Sequence, residues 1–361
     1  MGPDRAVHRD GVLVSPLETT VIDGVERTQR PEKHVAYWIG QHPHHSDGRK
    51  ITNFENPSPA QNLGEGVHVN HCFSAKAEYR DYCHKMLAYL GWIVGEAQKL
   101  DPDAKPTTHP IYPSEDEDDV FHYLDTASSR VMIGSDNDKL RDFKIAIVGV
   151  GGTGSYVLDF LAKTRVKEIH LFDADRFEPH NAFRTPGAWS IEELGHHQSK
   201  VDALISVYSK LRRKGLIGHE EFLTESNVVQ LEGIDFAFLC LDSGESKRAV
   251  VDWLVDNRVP FIDVGMGVTR GPSGLQGIIR VVTATPEKAN HVDKHISFGA
   301  AEEAENEYAT NIQIAELNAL NASLAVIKWK RFVGFYRDAG REHYTGYQIV
   351  TGEIVNDEII E

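Results

Sequence analysis

The stretch Lys144-Ile145-Ala146-Ile147-Val148-Gly149-Val150-Gly151-Gly152-Thr153-Gly154 decides the fold class of this chain. An unbroken apolar run stopped by glycine predicts a short strand buried on both faces. The glycine cluster predicts a tight turn opening a helix that extends to about Lys163. A strand, a Gly-x-Gly-x-x-Gly turn and a helix, in that order, form the first half of a nucleotide-binding βαβ unit. The glycines let backbone approach phosphate, and the helix N-terminus offers unpaired N–H groups to it. The next apolar run, Glu168–Phe172, reads as a second strand ending at Asp173. A carboxylate there accepts hydrogen bonds from ribose hydroxyls. A plain tight turn is the bland alternative, and the agreement of strand, turn, helix and acid argues against it.

Working outward, residues 142–285 alternate apolar runs with helical patterns, the signature of stacked strand–helix units. Helices are predicted over 200–211 and 246–256, and strands over 236–241 and 260–264. From 275 to 282 the pattern turns antiparallel in character. A long helix follows over 311–335, with Ile314, Leu317, Leu320, Leu324, Ile327 and Phe332 at helical spacing. A closing hairpin pairs residues 347–350 with Ile354 across Thr351-Gly352. The expected fold is α/β, a Rossmann-like mixed sheet with helices on both faces, over residues 126–361. Residues 1–125 are richer in His, Pro and short polar clusters and read as a smaller α+β domain. Short strands and turns are expected over 10–70. One helix spans 77–100 on Tyr79, Tyr82, Met86, Tyr89, Leu90 and Ile93, stopped by Asp101-Pro102. The run Glu115-Asp116-Glu117-Asp118-Asp119 reads as an exposed acidic loop near the boundary.

Composition excludes several classes. The 361 residues carry a formal net charge of −16, which argues against a nucleic-acid phosphate footprint. Mean hydropathy is −0.36 and no apolar run approaches the ~18 residues of a membrane span. No secretory signal is visible, and the 3 cysteines, Cys72, Cys83 and Cys240, form no C-x-x-C pair. A reduced, cytoplasmic setting is the expectation.

The residues after Asp173 separate an ATP enzyme from an NAD enzyme. They read Asp173-Ala174-Asp175, then Asn181, Arg184 and Lys200. Hydride transfer has no use for that series. A triphosphate needs fixed cations, and a planar guanidinium suits a transferring phosphoryl group. Asp242 closes the run over 236–241, at the carboxyl edge of the sheet where ligands of such sheets bind. A carboxylate there suits Mg²⁺.

With these motifs the chain resembles the ThiF/MoeB/HesA adenylyltransferases, which share the adenylation fold of ubiquitin-activating enzymes. The resemblance covers about residues 126–335. It implies that Gly149, Gly151, Gly152 and Gly154 cradle ATP phosphate, Asp173 binds ribose with Asp175 beside it, and Asn181 and Arg184 contact phosphates. It implies that Lys200 neutralises phosphate and Asp242 holds Mg²⁺. Arg130, in Ser128-Ser129-Arg130, corresponds to an arginine that reaches the nucleotide across a homodimer interface. The implied reaction is adenylation of the C-terminal carboxylate of a ubiquitin-like protein, with transfer to a conjugating-enzyme-like partner. His34-Val35-Ala36-Tyr37, Gly64-Glu65-Gly66 and Tyr79-Arg80-Asp81-Tyr82, joined to this half, resemble bacterial proteins encoded beside ubiquitin-like modifiers, several acting in phage defence.

The chain also departs from that family. Thr185 replaces its usual Gln, and residues 189–196 read as an insertion. No C-x-x-C pair exists, so no structural zinc is expected. The segment 283–308 lacks the cysteine that thioester-forming members carry there. Three routes then stay open: direct transfer of the adenylate to a nucleophile on a partner, a distant cysteine (Cys72 or Cys83), or an oxyester on a hydroxyl, for which Thr283, Thr285 and Ser297 are the candidate acceptors with His291 and His295 as bases. Bland readings apply elsewhere. Cys240 is strand packing, Asp235 and Asp263 are loop carboxylates, and Trp329, Phe332 and Phe335 are core or dimer contacts. His42, His44, His45, His68, His71 and His84, with Cys72 and Cys83, match no finger spacing and read first as surface and turn residues, with a zinc site or an activated Cys72 as the sharper options. An NAD-dependent oxidoreductase and a non-catalytic binding scaffold are the rival classes.

Overall fold

The computed structural model describes residues 1–22, 25–64, 66–107, 111, 113–114, 116–131, 133–241, 244–298 and 312–360. They form two compact units, Met1–Pro110 and Ile111–Glu361.

The first unit is built of short strands: β1 (Val12–Val14), β2 (Thr19–Ile22), β3 (Val25–Thr28), β4 (Val35–Ile39), β5 (Glu55–Asn56), β6 (Gln61–Asn62), β7 (His68–Val69) and β8 (His71–Ser74). Its main sheet runs β1-β4-β8-β5, all antiparallel. Helix α1 (Tyr82–Gln98) starts later than its periodicity suggests, because Asp81 caps it by accepting the His84 N–H. Tyr89 and Ile93 of α1 bury against Ala36, Trp38, Phe54 and Phe73.

The second unit opens with α2 (Thr126–Val131) and α3 (Gly134–Asp138), then follows the βα alternation. Strand β9 (Lys144–Val148) leads to α4 (Gly152–Ala162), β10 (Glu168–Phe172), α5 (Pro179–Ala182), α6 (Ile191–Gly195), α7 (Lys200–Tyr208) and β11 (Leu216–His219). Then come β12 (Phe236–Leu239), α8 (Glu245–Asp256), β13 (Phe261–Gly271), β14 (Gly274–Ala284), α9 (Val292–His295), α10 (Ala315–Phe332), β15 (Tyr344–Gln348) and β16 (Ile354–Asp357). The sheet has 8 strands in the order β11-β10-β9-β12-β13-β14-β15-β16. Pairing is parallel from β11 to β13 and antiparallel from β13 to β16.

Helices cover both faces, and β9 shows why. Ile145 and Ile147 pack in one core with Val157, Leu161, Val201, Ala322 and Trp329, contributed by α4, α7 and α10. Ala146 and Val148 pack in the other with Val250, Val251 and Leu254 of α8. Alternate residues point to opposite faces, so a continuous apolar run signals a doubly covered strand.

Several expectations change. Strand β11 is absent from the sequence reading, so β12 is the fourth strand of this sheet in chain order, not the third. Strand β13 runs to Gly271 and Asp263 lies inside it, fully buried, rather than in a loop. The supposed acidic loop is only partly exposed. Asp119 is buried, accepts from Ser114 Oγ at 2.7 Å, and its carbonyl accepts from Arg213 Nε at 2.8 Å. Glu115 lies outside the described residues.

The far end of the sheet carries a pH-dependent contact. His291 is buried; its Nε2–H donates to the Thr283 carbonyl at 2.9 Å, while Nδ1 has no partner. Burial lowers its pKa from 6.5 to about 4. Below 6.5 the unfolded chain binds a proton that the folded chain refuses, so stability is full above that pH and falls as pH drops toward 4. Burial lowers the His343 pKa too. Melting temperature followed against pH is expected to decline across that window, less steeply in His291→Gln.

Candidate active site

The carboxyl ends of β9, β10, β12 and β13 open on a cleft of about 840 Å³. It lies where the chain, having built β10 and β11 on one side of β9, returns to build β12 on the other, the usual ligand crevice of such sheets.

The glycine turn forms one wall, with Gly149, Gly151 and Gly152 lining the cleft. Gly149 has φ +86°, and a Cβ there would meet the Cys240 carbonyl at 2.7 Å. No atom lies within 4 Å of a Cβ added at Gly151, so that backbone faces open space. As N-cap of α4, Gly151 provides no side-chain capping bond, which leaves first-turn N–H groups for a ligand. Gly154 differs from the expectation of a phosphate cradle. A Cβ there would lie 1.9 Å from the Gly149 oxygen and 3.2 Å from Cys240 Cβ, so this position permits close packing of helix on turn.

Asp173 is buried and organises the opposite side. Its Oδ2 accepts from Val150 N–H and its Oδ1 from Asp175 N–H, both at 2.9 Å. Lys200 Nζ lies 2.5 Å from Asp175 Oδ2 and 3.5 Å from Asp173 Oδ1. Lys200 thus enters the cleft as a buried ammonium held by two carboxylates. Its helix begins there because Ser199 caps α7 through the Asp202 N–H.

Asn181 and Arg184 share the short turn around α5. Asn181 is 1% exposed; its Oδ1 accepts the Glu178 N–H in a capping box, while its Nδ2 has no partner. Arg184 lines the cleft with Nε buried and unpartnered. A buried donor without an acceptor costs about 1–3 kcal/mol. At Arg184, which shares the cleft with the open glycine turn and the Lys200 ammonium, the unmet donor marks a site built for an oxyanion. The residues expected to insert at 189–196 fold as α6, closed by a Ser190–Glu193 capping box.

Not every expected residue reaches the cleft. Arg130 is exposed on α2 and does not line it. Asp242 lies outside the described residues; its neighbours Leu241 and Gly244 line the cleft. Thr283 and Thr285 are buried, at 3% and 7% exposure, which removes both as accessible acceptors in this conformation. Ser297 is exposed and lines the cleft. Burial pushes the Cys240 and Cys72 thiols above their ordinary pKa, away from nucleophilic readiness. Among the described residues the N-terminal histidines and cysteines do not bring three ligand atoms together. His295, Asp357 and Glu358 do, but Glu358 is already bound by Lys288 and Lys294.

Two groups of cleft residues escaped the sequence reading. Asn318 of α10 accepts from Thr153 Oγ1 at 2.9 Å and donates to the Arg184 carbonyl at 3.4 Å, tying the glycine turn to the Arg184 turn. Asn321 donates to the Gly265 carbonyl at 3.0 Å. Their signal was present as two amides at i and i+3 on a helix face that otherwise buries apolar groups. Phe222 and Leu223 follow the unforeseen β11 and also line the cleft. Asn227 donates to the Phe222 carbonyl at 3.0 Å and holds an exposed aromatic ring at the rim.

Comparison with known proteins gives two family matches. Residues 3–126 match a family described as a domain of unknown function, DUF6791. Residues 125–355 match the ThiF family. Ubiquitin-like modifier-activating enzyme 5 of Drosophila mojavensis is 28% identical over 151 residues, 39% of this chain and 38% of that protein. The protein of the same name from Gallus gallus is 30% identical over 139 residues, 34% of each chain. The matches thus span little more than a third of these curated relatives. Among solved structures, E. coli MccB with MccA-N7isoASN superposes with TM-score 0.50 at 18% identity, over 62% of this chain and 66% of that one. PaaA superposes with TM-score 0.51 at 14% identity, over 78% and 87%. At these identities the likeness is one of fold.

Proposed function

This chain belongs to the ThiF family through residues 125–355, and from that premise we propose that it adenylates the C-terminal carboxylate of a ubiquitin-like protein with ATP, as a homodimer, and hands the product to a conjugating-enzyme-like partner. The observation that carries this reading is the buried, unsatisfied donor Arg184 Nε in a cleft it lines together with the open Gly151 backbone and Lys200. The relatives named for activating ubiquitin-like modifiers support the choice of substrate.

In this reading the triphosphate lies along the glycine turn and the N-terminus of α4. The ribose meets Asp173, and the base lies against Phe222 and Leu223. Asp242 would hold Mg²⁺, which supplies further neutralising charge. A carboxylate oxygen attacks the α-phosphorus, a new P–O bond forms, and the bond to the bridging oxygen breaks. That electron pair leaves with pyrophosphate, and no proton moves because the carboxylate is already ionised. The protein contributes position and charge: Arg184 and Lys200 stabilise the pentavalent phosphorus and Asn181 donates to a phosphate oxygen. Arg130 has no place in the cleft of its own chain and is assigned to the nucleotide of the second protomer.

Nucleotide choice is the first test. ATP at a hundred times its Kd is expected to stabilise the fold by about 2.7 kcal/mol, with no such shift from NAD. The reverse response in a thermal melt would favour the oxidoreductase class. The substrate test is pyrophosphate exchange dependent on an added modifier. Tight ATP binding without exchange, across candidate modifiers, would favour a scaffold.

A further inference from the structure

We infer that Arg280 receives the substrate's carboxylate in this cleft, a reading that rests on the adenylation proposed above. Asp263 on β13 is fully buried. Lys247 of α8 is also buried, with Nζ 2.5 Å from Asp263 Oδ1, and it donates to the Leu241 carbonyl at 3.3 Å. That pair already balances one negative charge with one positive charge. Arg280, on the neighbouring β14, adds a second cation by donating from Nη1 to Asp263 Oδ2 at 2.9 Å. Among the described residues the cluster therefore holds two cations and one carboxylate. A surplus charge withdrawn from water is costly, and an incoming anion relieves it.

Geometry directs that surplus to the cleft. Lys247 is nearly sealed, its side chain 3% exposed, whereas the Arg280 side chain keeps 18%. Arg280 lines the cleft together with Gly265, Met266 and Gly267. Its guanidinium occupies the space of a missing side chain: a Cβ on Gly265 would meet Nε at 2.6 Å and Cζ at 2.8 Å. The bond to Asp263 uses one N–H of a planar fork that matches a carboxylate. Position in the sheet separates this cation from the others. Lys200 and Arg184 follow β10, on one side of β9, while Arg280 comes from β14, beyond β12 and β13. A carboxylate must approach a triphosphate that repels it, and a cation on the far wall opposes that repulsion. Arg280 would hold the carboxylate while its oxygen forms the bond to phosphorus described above.

The test uses the full chain saturated with an α,β-methylene analogue of ATP. The probe is a synthetic octapeptide ending in Gly-Gly, compared as free acid and as C-terminal amide by calorimetry. The wild-type protein is expected to prefer the acid by about tenfold, the discrimination given by one charge-assisted fork. Arg280→Gln is expected to abolish that preference while binding the analogue within about twofold of wild type. Arg280→Lys keeps the charge and the ion pair with Asp263 and is expected to keep about threefold, so it decides the matter if the glutamine variant fails to fold. An undiminished preference in Arg280→Gln, or none in the wild type, overturns the inference. Equal weakening of analogue and peptide binding overturns it in favour of a phosphate partner. Failure of the wild type to bind the analogue strikes the adenylation reading itself, a result distinct from the others.

Discussion

Arg184→Ala is expected to slow modifier-dependent ATP–pyrophosphate exchange by roughly 10²–10³-fold, the usual cost of losing one group aimed at transition-state charge. The melting temperature of the free protein is expected to hold or rise. The Arg184 Nε makes no hydrogen bond in the folded chain, so truncation removes a buried unsatisfied donor rather than a contact. The carbonyl of residue 184 still accepts from Asn318, which preserves the turn. Lys200→Ala gives a less readable result, because Asp175 and Asp173 would lose their shared cation and the fold would suffer with the chemistry. Exchange near the wild-type rate in a folded Arg184→Ala protein would remove Arg184 from the transition state and with it the phosphate assignment of this wall.

Gly154→Ala is expected to destabilise the second unit by about 3 kcal/mol, near the upper end for overpacking a tight contact. For a unit of this size the melting temperature would drop by roughly 6 °C. The added methyl would lie 1.9 Å from the Gly149 carbonyl oxygen. Relief requires α4 to move away from the turn, and Gly151 and Gly152 move with it, so ATP response is expected to vanish too. Gly151→Ala is the control, since nothing lies within 4 Å of its added methyl. That variant is expected to keep its melting temperature but to lose nucleotide affinity, because the methyl occupies the space a phosphate would take. Equal stability of Gly154→Ala and wild type would show that the turn has slack the structure does not display.

How much of this was legible depended on whether a residue's role was local. The stretch 144–154 gave strand, turn and helix because buried apolar character and glycine freedom act on neighbouring residues. Asp173, Asn181, Arg184 and Lys200 were found as a series, and the folded chain brings Asp173, Arg184 and Lys200 to one cleft. Strand β11 was not found. It lies at the sheet edge, half-exposed over most of its length, and Gly218 and His219 interrupt its apolar pattern, so it is a strand chiefly because β10 offers it a partner. Missing it also concealed Phe222 and Leu223.

By itself, then, the sequence determined the α/β architecture, the glycine turn and the acidic and basic residues that follow it, since periodicity and turn chemistry operate over a few residues. Only the tertiary structure decided which of those groups have partners. It showed that the Gly149 carbonyl leaves no room for a side chain at Gly154, and that Thr283 is closed inside a sheet. It drew Asn318 from a distant helix onto the glycine turn, and it placed Lys247, Asp263 and Arg280 in one cluster. Burial and unmatched charge are set by what packs across the sheet, and that information is distributed over residues far apart in the chain.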